Sequence, residues 1–222
     1  NGIEEMFDLC RGFTMLPPVK GRRVAIVTNS GGPGVLAADH AELCGLRVEP
    51  PSGGLRDRLE QRLEPFCSFD NPFDLTVQGT GDDYRDVLID VLTEYDAALA
   101  INVNPPYLDS APLARGIVDV AAETSKPIAA SFMAGKPAQA ALPVLSEAGV
   151  PSFATGERAT FAIAALWQQS QRVESLRDST GPKTASPDRS AKQLPWDRRP
   201  LEPEGMDWLE QLGFSVIDRS WA

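Results

Sequence analysis

Short apolar, β-branched runs alternate along this chain with segments whose apolar residues recur every three to four positions, and that alternation predicts the architecture. Buried-strand runs stand at Arg22–Thr28 (RRVAIVT), Ala97–Val103 (AALAINV) and Pro127–Phe132, with shorter ones at Leu46–Val48 and Val150–Phe153. Helical spacing opens the chain at Gly2–Phe13, where Ile3, Met6, Phe7, Cys10 and Phe13 share one face, and Pro17-Pro18 ends it. Further helices are expected after a glycine loop (Val35 to Cys44, stopped by Gly45), at Leu55–Leu63, Asp82–Thr93, Ala111–Glu123 and Ala138–Ala148, and from Thr155 to about Leu176. Thr155 suits an N-cap, with Glu157 in the first turn. Strand, glycine turn, helix, strand is a βαβ unit, and its repetition over about 155 residues predicts a doubly wound parallel α/β sheet.

The pattern stops after Leu176. Arg177–Pro200 holds four prolines among Ser, Thr, Asp and Lys without periodicity, the composition of a linker. Order is expected to return from Pro203, where Met206, Trp208, Leu209 and Leu212 form a stripe, followed by Gly213 and a strand-like Phe214–Ile217. One helix and one strand cannot build a core. The expected organisation is therefore a domain over 1–176, a linker over 177–200 and the beginning of a second domain over 201–222.

Composition narrows the function. The 222 residues carry a net charge of −10, unevenly spread: −9 over residues 1–176, +3 over 177–200 and −4 over the last 22. An acidic body repels a phosphate backbone, which argues against nucleic-acid binding. No apolar stretch is long enough to span a bilayer, and no leader pattern is visible. Cys10, Cys44 and Cys67 have no metal-ligand spacing. Cys10 and Cys44 read as buried free thiols, consistent with a reducing cytoplasm. The chain opens on Asn1 rather than Met, as expected of a segment of a longer protein.

Asn29-Ser30-Gly31-Gly32-Pro33-Gly34 joins the first long strand to a helix and is the strongest candidate for chemistry. Consecutive glycines expose backbone amides, proline at the first helical turn loses no hydrogen bond, and the positive end of the helix dipole favours phosphate or carboxylate. Asn29, Ser30, Gly31, Gly32 and Gly34 are thus candidate phosphate-binding residues. The same loop is equally compatible with a tight βα turn that binds nothing. It has neither the G-x-G-x-x-G nor the P-loop spacing. Other pocket candidates lie after strand ends: Asn71, Pro72 and Asp74 in NPFD, Asn104 and Pro105 in NPPY, and Ser131 and Met133 in SFMAG. Each has a plain structural alternative as a turn or loop residue. His40, the sole histidine, sits well into the helix rather than at its tip and reads as a helix-side residue. Asp82 and Asp83 open a helix, where capping accounts for them. No catalytic residue and no metal site is expected in this chain.

Four separate segments, RVAIVTNSGGPGVLAAD, NPFDL, KPIAASFMAG and AGVPSFATGERATFAIAAL, resemble the second succinyl-CoA-ligase-like, flavodoxin-like domain of the NDP-forming acyl-CoA synthetases, the ADP-forming acetate–CoA ligase group. The resemblance covers about residues 2–176. The tail LEPEGMDWLEQLGFSVIDRSWA resembles the opening of an ATP-grasp domain. Phe132 stands where the family often has tryptophan. The resemblance implies a parent enzyme that joins a carboxylic acid to CoA using ATP and Mg, through acyl phosphate and a phosphohistidine carrier. This chain would bind no cofactor alone. Its Gly31-Gly32-Pro33-Gly34 helix start would face the phosphoryl group, while CoA-binding, phosphohistidine and ATP-grasp domains would be its partners. Two alternatives remain at this point: the regulatory ligand-binding part of an acetyltransferase-fused relative, or a non-catalytic oligomerisation domain.

Overall fold

The computed structural model describes residues 2–105, 109–178 and 202–211. Its strands are β1 (Val24–Thr28), β2 (Phe73–Asp74), β3 (Ala97–Val103) and β4 (Ile128–Met133). Its helices are α1 (Ile3–Met15), α2 (Gly31–Leu43), α3 (Gly53–Arg62), α4 (Gly81–Val91), α5 (Ala111–Glu123), α6 (Ala141–Glu147), α7 (Gly156–Asp178) and α8 (Glu202–Gln211), with a 3₁₀ turn at Lys136–Ala140 before α6. The four strands run parallel in the order β2-β1-β3-β4. A single parallel bridge, Ala130 to Ser152, extends this arrangement beyond β4. The fold is a parallel α/β sheet, as the alternation predicts, and its strand order is flavodoxin-like, as the resemblance implies.

Alternation of side chains along the sheet builds two cores. Ala25, Val27, Ala98, Ala100 and Ala130 face α3, α4, α5 and α6, while Val24, Ile26, Leu99, Ile101 and Ala129 face α2 and α7. The small residues on the first face let the helices sit close. The α4–α5 approach is closer still: a Cβ on Gly116 would lie 2.0 Å from the Gly81 carbonyl oxygen.

Several expectations need correction. Leu46–Val48 and Val150–Phe153 do not form continuous strands; each makes a single parallel bridge, Arg23 to Arg47 and Ala130 to Ser152. Phe73–Asp74, read as a turn, is a strand paired with β1. Between the Arg47 bridge and β2 the ladder along β1 has a gap, and the Asn71 side chain closes it. Asn71 Oδ1 accepts from the Ile26 N–H (2.9 Å), and Nδ2 donates to the Val24 carbonyl (2.8 Å). A side-chain amide thus substitutes for a residue of strand, which satisfies the buried backbone.

The cysteines also differ from expectation. Cys10 is exposed rather than buried, because α1 packs through Asp8 and Gly12 instead of its apolar stripe. Cys44 and Cys67 are partly buried, and burial raises both thiols. The chain divides into compact units at 1–176 and 177–222, each considered separately. Most of the expected linker, and the expected strand at Phe214–Ile217, lie outside the described residues. No helix among the described residues is long and apolar enough to cross a membrane.

Candidate functional site

β1 and β3 are neighbours although β2 intervenes in sequence, so the chain leaves them in opposite directions. Their carboxyl ends form the crevice where open α/β sheets bind ligands. Thr28 ends β1 and organises the turn: its hydroxyl accepts from the Ser30 N–H (3.0 Å) and donates to the Ser30 carbonyl (2.9 Å). Helix α2 starts immediately at Gly31.

The start of α2 is not closed by side chains of its own. Ser30, at the N-cap, makes no side-chain capping bond, and the first turn carries no acidic residue. Helices α1 and α6 likewise start without a side-chain cap, whereas Ser52 caps α3, Thr80 and Asp83 form a reciprocal capping box on α4, Asp109 accepts from Ala111 N at α5, and Thr155 accepts from Arg158 N at α7. The capping role expected of the Asp82–Asp83 pair is thereby taken by Asp83. An uncapped helix start leaves orphan amides for water or a ligand.

The three glycines of the loop do different things. Gly34 is buried, and a Cβ there would meet Thr28 Cγ2 at 3.0 Å and Pro72 Cβ at 3.3 Å, so it permits close packing of α2 on the sheet. A Cβ on Gly31 would lie 3.2 Å from Asp74 Oδ2. Gly32 is exposed, with nothing within 4 Å of a Cβ placed on it. Packing does not require glycine at 32, and its surroundings are open. Ser30, Gly31, Gly32, Gly34, Pro72 and Asp74 therefore come together around one helix start. Asp74 Oδ1 accepts from Thr76 N (2.8 Å), where Thr76 holds a φ of 58°.

Asn29, Asn104 and Pro105 fall on the other side of the sheet's edge. They line a cavity of about 490 Å³ together with Asn102, Asp109 and the Val77–Gly81 loop leading into α4. The Asn29 side chain ties β1 to β3: Oδ1 accepts from Val103 N (2.8 Å), and Nδ2 donates to Asn102 Oδ1 (2.9 Å) and the Val103 carbonyl (3.1 Å). Asn102 Nδ2 donates onward to Asn104 Oδ1 (3.1 Å). All three asparagines are buried, giving the cavity a polar floor and the strand ends a rigid join. Tyr84 fixes β3 further by donating to the Ile101 carbonyl, and burial pushes its hydroxyl well above the usual tyrosine range.

The remaining candidates separate from these groups. Asn71 is engaged by β1 and Glu49 backbone, and Ser131 and Met133 do not line the cavity. Ser131 is fully buried, with its hydroxyl unpaired. His40 lies beside α7, its Nδ1 2.9 Å from Thr160 Oγ1; since that hydroxyl donates to the Glu157 carbonyl, the imidazole is the donor. Asn102 and the Val77–Gly81 loop were missed from sequence. A polar residue near the end of an otherwise apolar run was the available signal for Asn102. Among the described residues no three His, Cys, Asp or Glu side chains converge as metal ligands.

No protein-family model matches the chain. The alpha subunit of an ADP-forming acetate–CoA ligase II from Pyrococcus furiosus is 36% identical over 179 residues, covering 78% of this chain and 39% of that subunit. A solved protein from Pyrococcus horikoshii OT3 superposes with a TM-score of 0.74 at 32% identity, over 78% of this chain and 41% of the other. A dinucleotide-forming acetyl-coenzyme A synthetase from Ca. Korarchaeum cryptofilum, solved in complex with phosphate and ADP, gives 0.71 at 27%, over 79% and 40%. The chain thus spans about two fifths of the length of these relatives.

Proposed function

The matched domain of this chain belongs to the NDP-forming acyl-CoA synthetase family, and from that we propose that it is the phosphate-cradling part of an enzyme making acyl-CoA from a carboxylic acid, CoA and ATP. Acyl phosphate would be the intermediate, with a phosphohistidine on another domain as carrier. The observation that carries this reading is the open start of α2. Ser30 provides no cap, Gly32 faces open space, and the positive end of the helix is presented at the carboxyl edge of the sheet.

In this reading the Gly31 and Gly32 amides hold the phosphoryl oxygens, and the helix dipole stabilises their charge as the bond from phosphorus to the acyl oxygen breaks and one to the histidine ring nitrogen forms. Ser30, whose backbone Thr28 holds, would add its hydroxyl. Gly34 keeps the helix seated so that the amides stay in position. The neighbouring cavity, floored by Asn29, Asn102 and Asn104, suits the uncharged part of a small acid or its carbonyl. ATP, Mg and CoA belong to parts of the enzyme beyond this domain. The names of the relatives support use of ATP and CoA, and one solved relative holds ADP and phosphate.

The test uses the intact synthetase. CoA- and acid-dependent ADP release is assayed across short and aromatic carboxylates, with acid-labile phosphoprotein followed alongside, for wild type and Gly32→Leu. Turnover with a labile phosphoenzyme, both lost in Gly32→Leu while its unfolding midpoint is kept, is the expected result. An intact synthetase with neither activity would overturn the reading, and undiminished turnover in Gly32→Leu would remove α2 from the chemistry.

A further inference from the structure

Helix α1 presents its apolar side to solvent. Asp8 and Gly12 pack inward, while Ile3 (68% exposed), Met6 (51%), Phe7 (62%) and Phe13 (50%) face outward. The orientation is fixed by specific contacts. Asp8, only 4% exposed, receives Arg158 Nε and Nη2, the latter at 3.0 Å, and Arg158 Nη1 reaches Glu4 at 3.2 Å. At Gly12 a Cβ would lie 3.2 Å from both Ala162 Cβ and Leu166 Cδ1. Rolling α1 to bury its stripe would leave the Asp8–Arg158 pair unmatched and force a side chain into the Gly12 contact, so the outward stripe is built in.

Four large apolar side chains on one 13-residue helix exceed the scattered hydrophobics of an ordinary surface. We propose that this face is the seat of another domain of the same synthetase, one presenting an apolar surface with a basic rim. This rests on the function proposed above. The occupant follows from two facts. About three fifths of the relatives' length lies outside the match, so this domain works among others. Residues 1–176 carry a net −9, so a second copy would oppose like charge whereas a basic rim is complementary.

The placement also has a consequence for the site. Asp8 lies at Arg158 and Gly12 at Ala162 and Leu166, so α1 and α7 run in the same direction. The chain enters α7 just beyond the Ser152 bridge, on the carboxyl side of the sheet. Ile3 and Phe7 are therefore at the end of the domain where α2 begins, and a domain seated on them is held beside the phosphate-binding edge.

The experiment titrates this chain with the remaining domains of the synthetase, expressed as a separate chain, and measures binding and the size of each species by light scattering. The wild-type chain alone is expected to be monomeric and to bind its complement. Phe7→Glu should weaken that binding by about thirtyfold or more, as for a central aromatic contact, with unchanged circular dichroism because the position is exposed. Met6→Glu combined with it should abolish binding. A wild-type chain that self-associates, and is made monomeric by Phe7→Glu, would show that a second copy covers the face and overturn the proposal. Unchanged affinity in both variants would overturn it as well. Binding is read without turnover, so a complex that forms but makes no acyl-CoA would refute the enzymatic reading and leave the docking surface standing.

Discussion

Gly32 and Gly34 are two residues apart in one helix start, and replacing each with alanine should shift stability in opposite directions. At 34 the new methyl group would meet Thr28 Cγ2 at 3.0 Å and Pro72 Cβ at 3.3 Å. Thr28 is buried in β1 and cannot move freely, so the overpacking costs about 1–3 kcal/mol. Helix propensity returns up to about 1 kcal/mol, leaving a net loss of about 0–2 kcal/mol. At 32 the methyl group meets nothing within 4 Å, so the propensity gain stands alone, at up to about 1 kcal/mol. The two variants should therefore differ by about 1–3 kcal/mol. For a domain of this size each kcal/mol moves Tm by roughly 2–4 °C, so Gly34→Ala should melt several degrees below Gly32→Ala. Thermal unfolding followed by circular dichroism measures this directly, with denaturant midpoints as a second check. A Gly32→Ala protein that melts below Gly34→Ala would refute the reasoning, since it would mean that Gly32 is held by packing and that the space around it is not open for a ligand.

Gly116→Ala should destabilise far more than either, by about 3 kcal/mol or more, because its methyl would collide with the Gly81 backbone rather than with a movable side-chain tip; the midpoint in urea reads it. Asn29→Ala should lose about 1–3 kcal/mol by stranding the Val103 N–H, with local hydrogen exchange at Val103 rising as the join between β1 and β3 loosens. Glu94 gives an acid-side test. Burial works to raise its carboxyl, but hydrogen bonds from the Ser52 hydroxyl and N–H, with Arg23 and Arg58 nearby, outweigh that and hold it below its usual 4.5. A depressed carboxylate contributes stability above its unfolded-state value and loses it as pH falls through the folded one. Denaturant midpoints should accordingly fall less between neutral pH and about pH 3 in Glu94→Gln than in wild type.

The fold was legible because its long elements have strong periods: β3, with six of seven residues fully buried, and α4, with its run of apolar contacts, appear in the sequence nearly as they appear in space. What escaped was decided by partners distant in sequence. Phe73–Asp74 is a strand because β1 offers it a ladder, and Asn71 became part of that ladder through its side chain, which no local pattern encodes. The apolar stripe of α1 was visible, but its direction was not. Periodicity says that Ile3, Met6, Phe7 and Phe13 share a face; only Arg158, 150 residues from Asp8, determines that the opposite face turns inward. The glycine loop shows the same division. Three glycines in one motif suggested one shared purpose, whereas the structure gives Gly34 to packing against Thr28 and Pro72, places Gly31 beside Asp74, and leaves Gly32 without steric need. A glycine that the fold does not require, at a helix start that the fold does not cap, is where a ligand has the most room to act. That is why Gly32, rather than the motif as a whole, is the position on which the proposed chemistry is best tested.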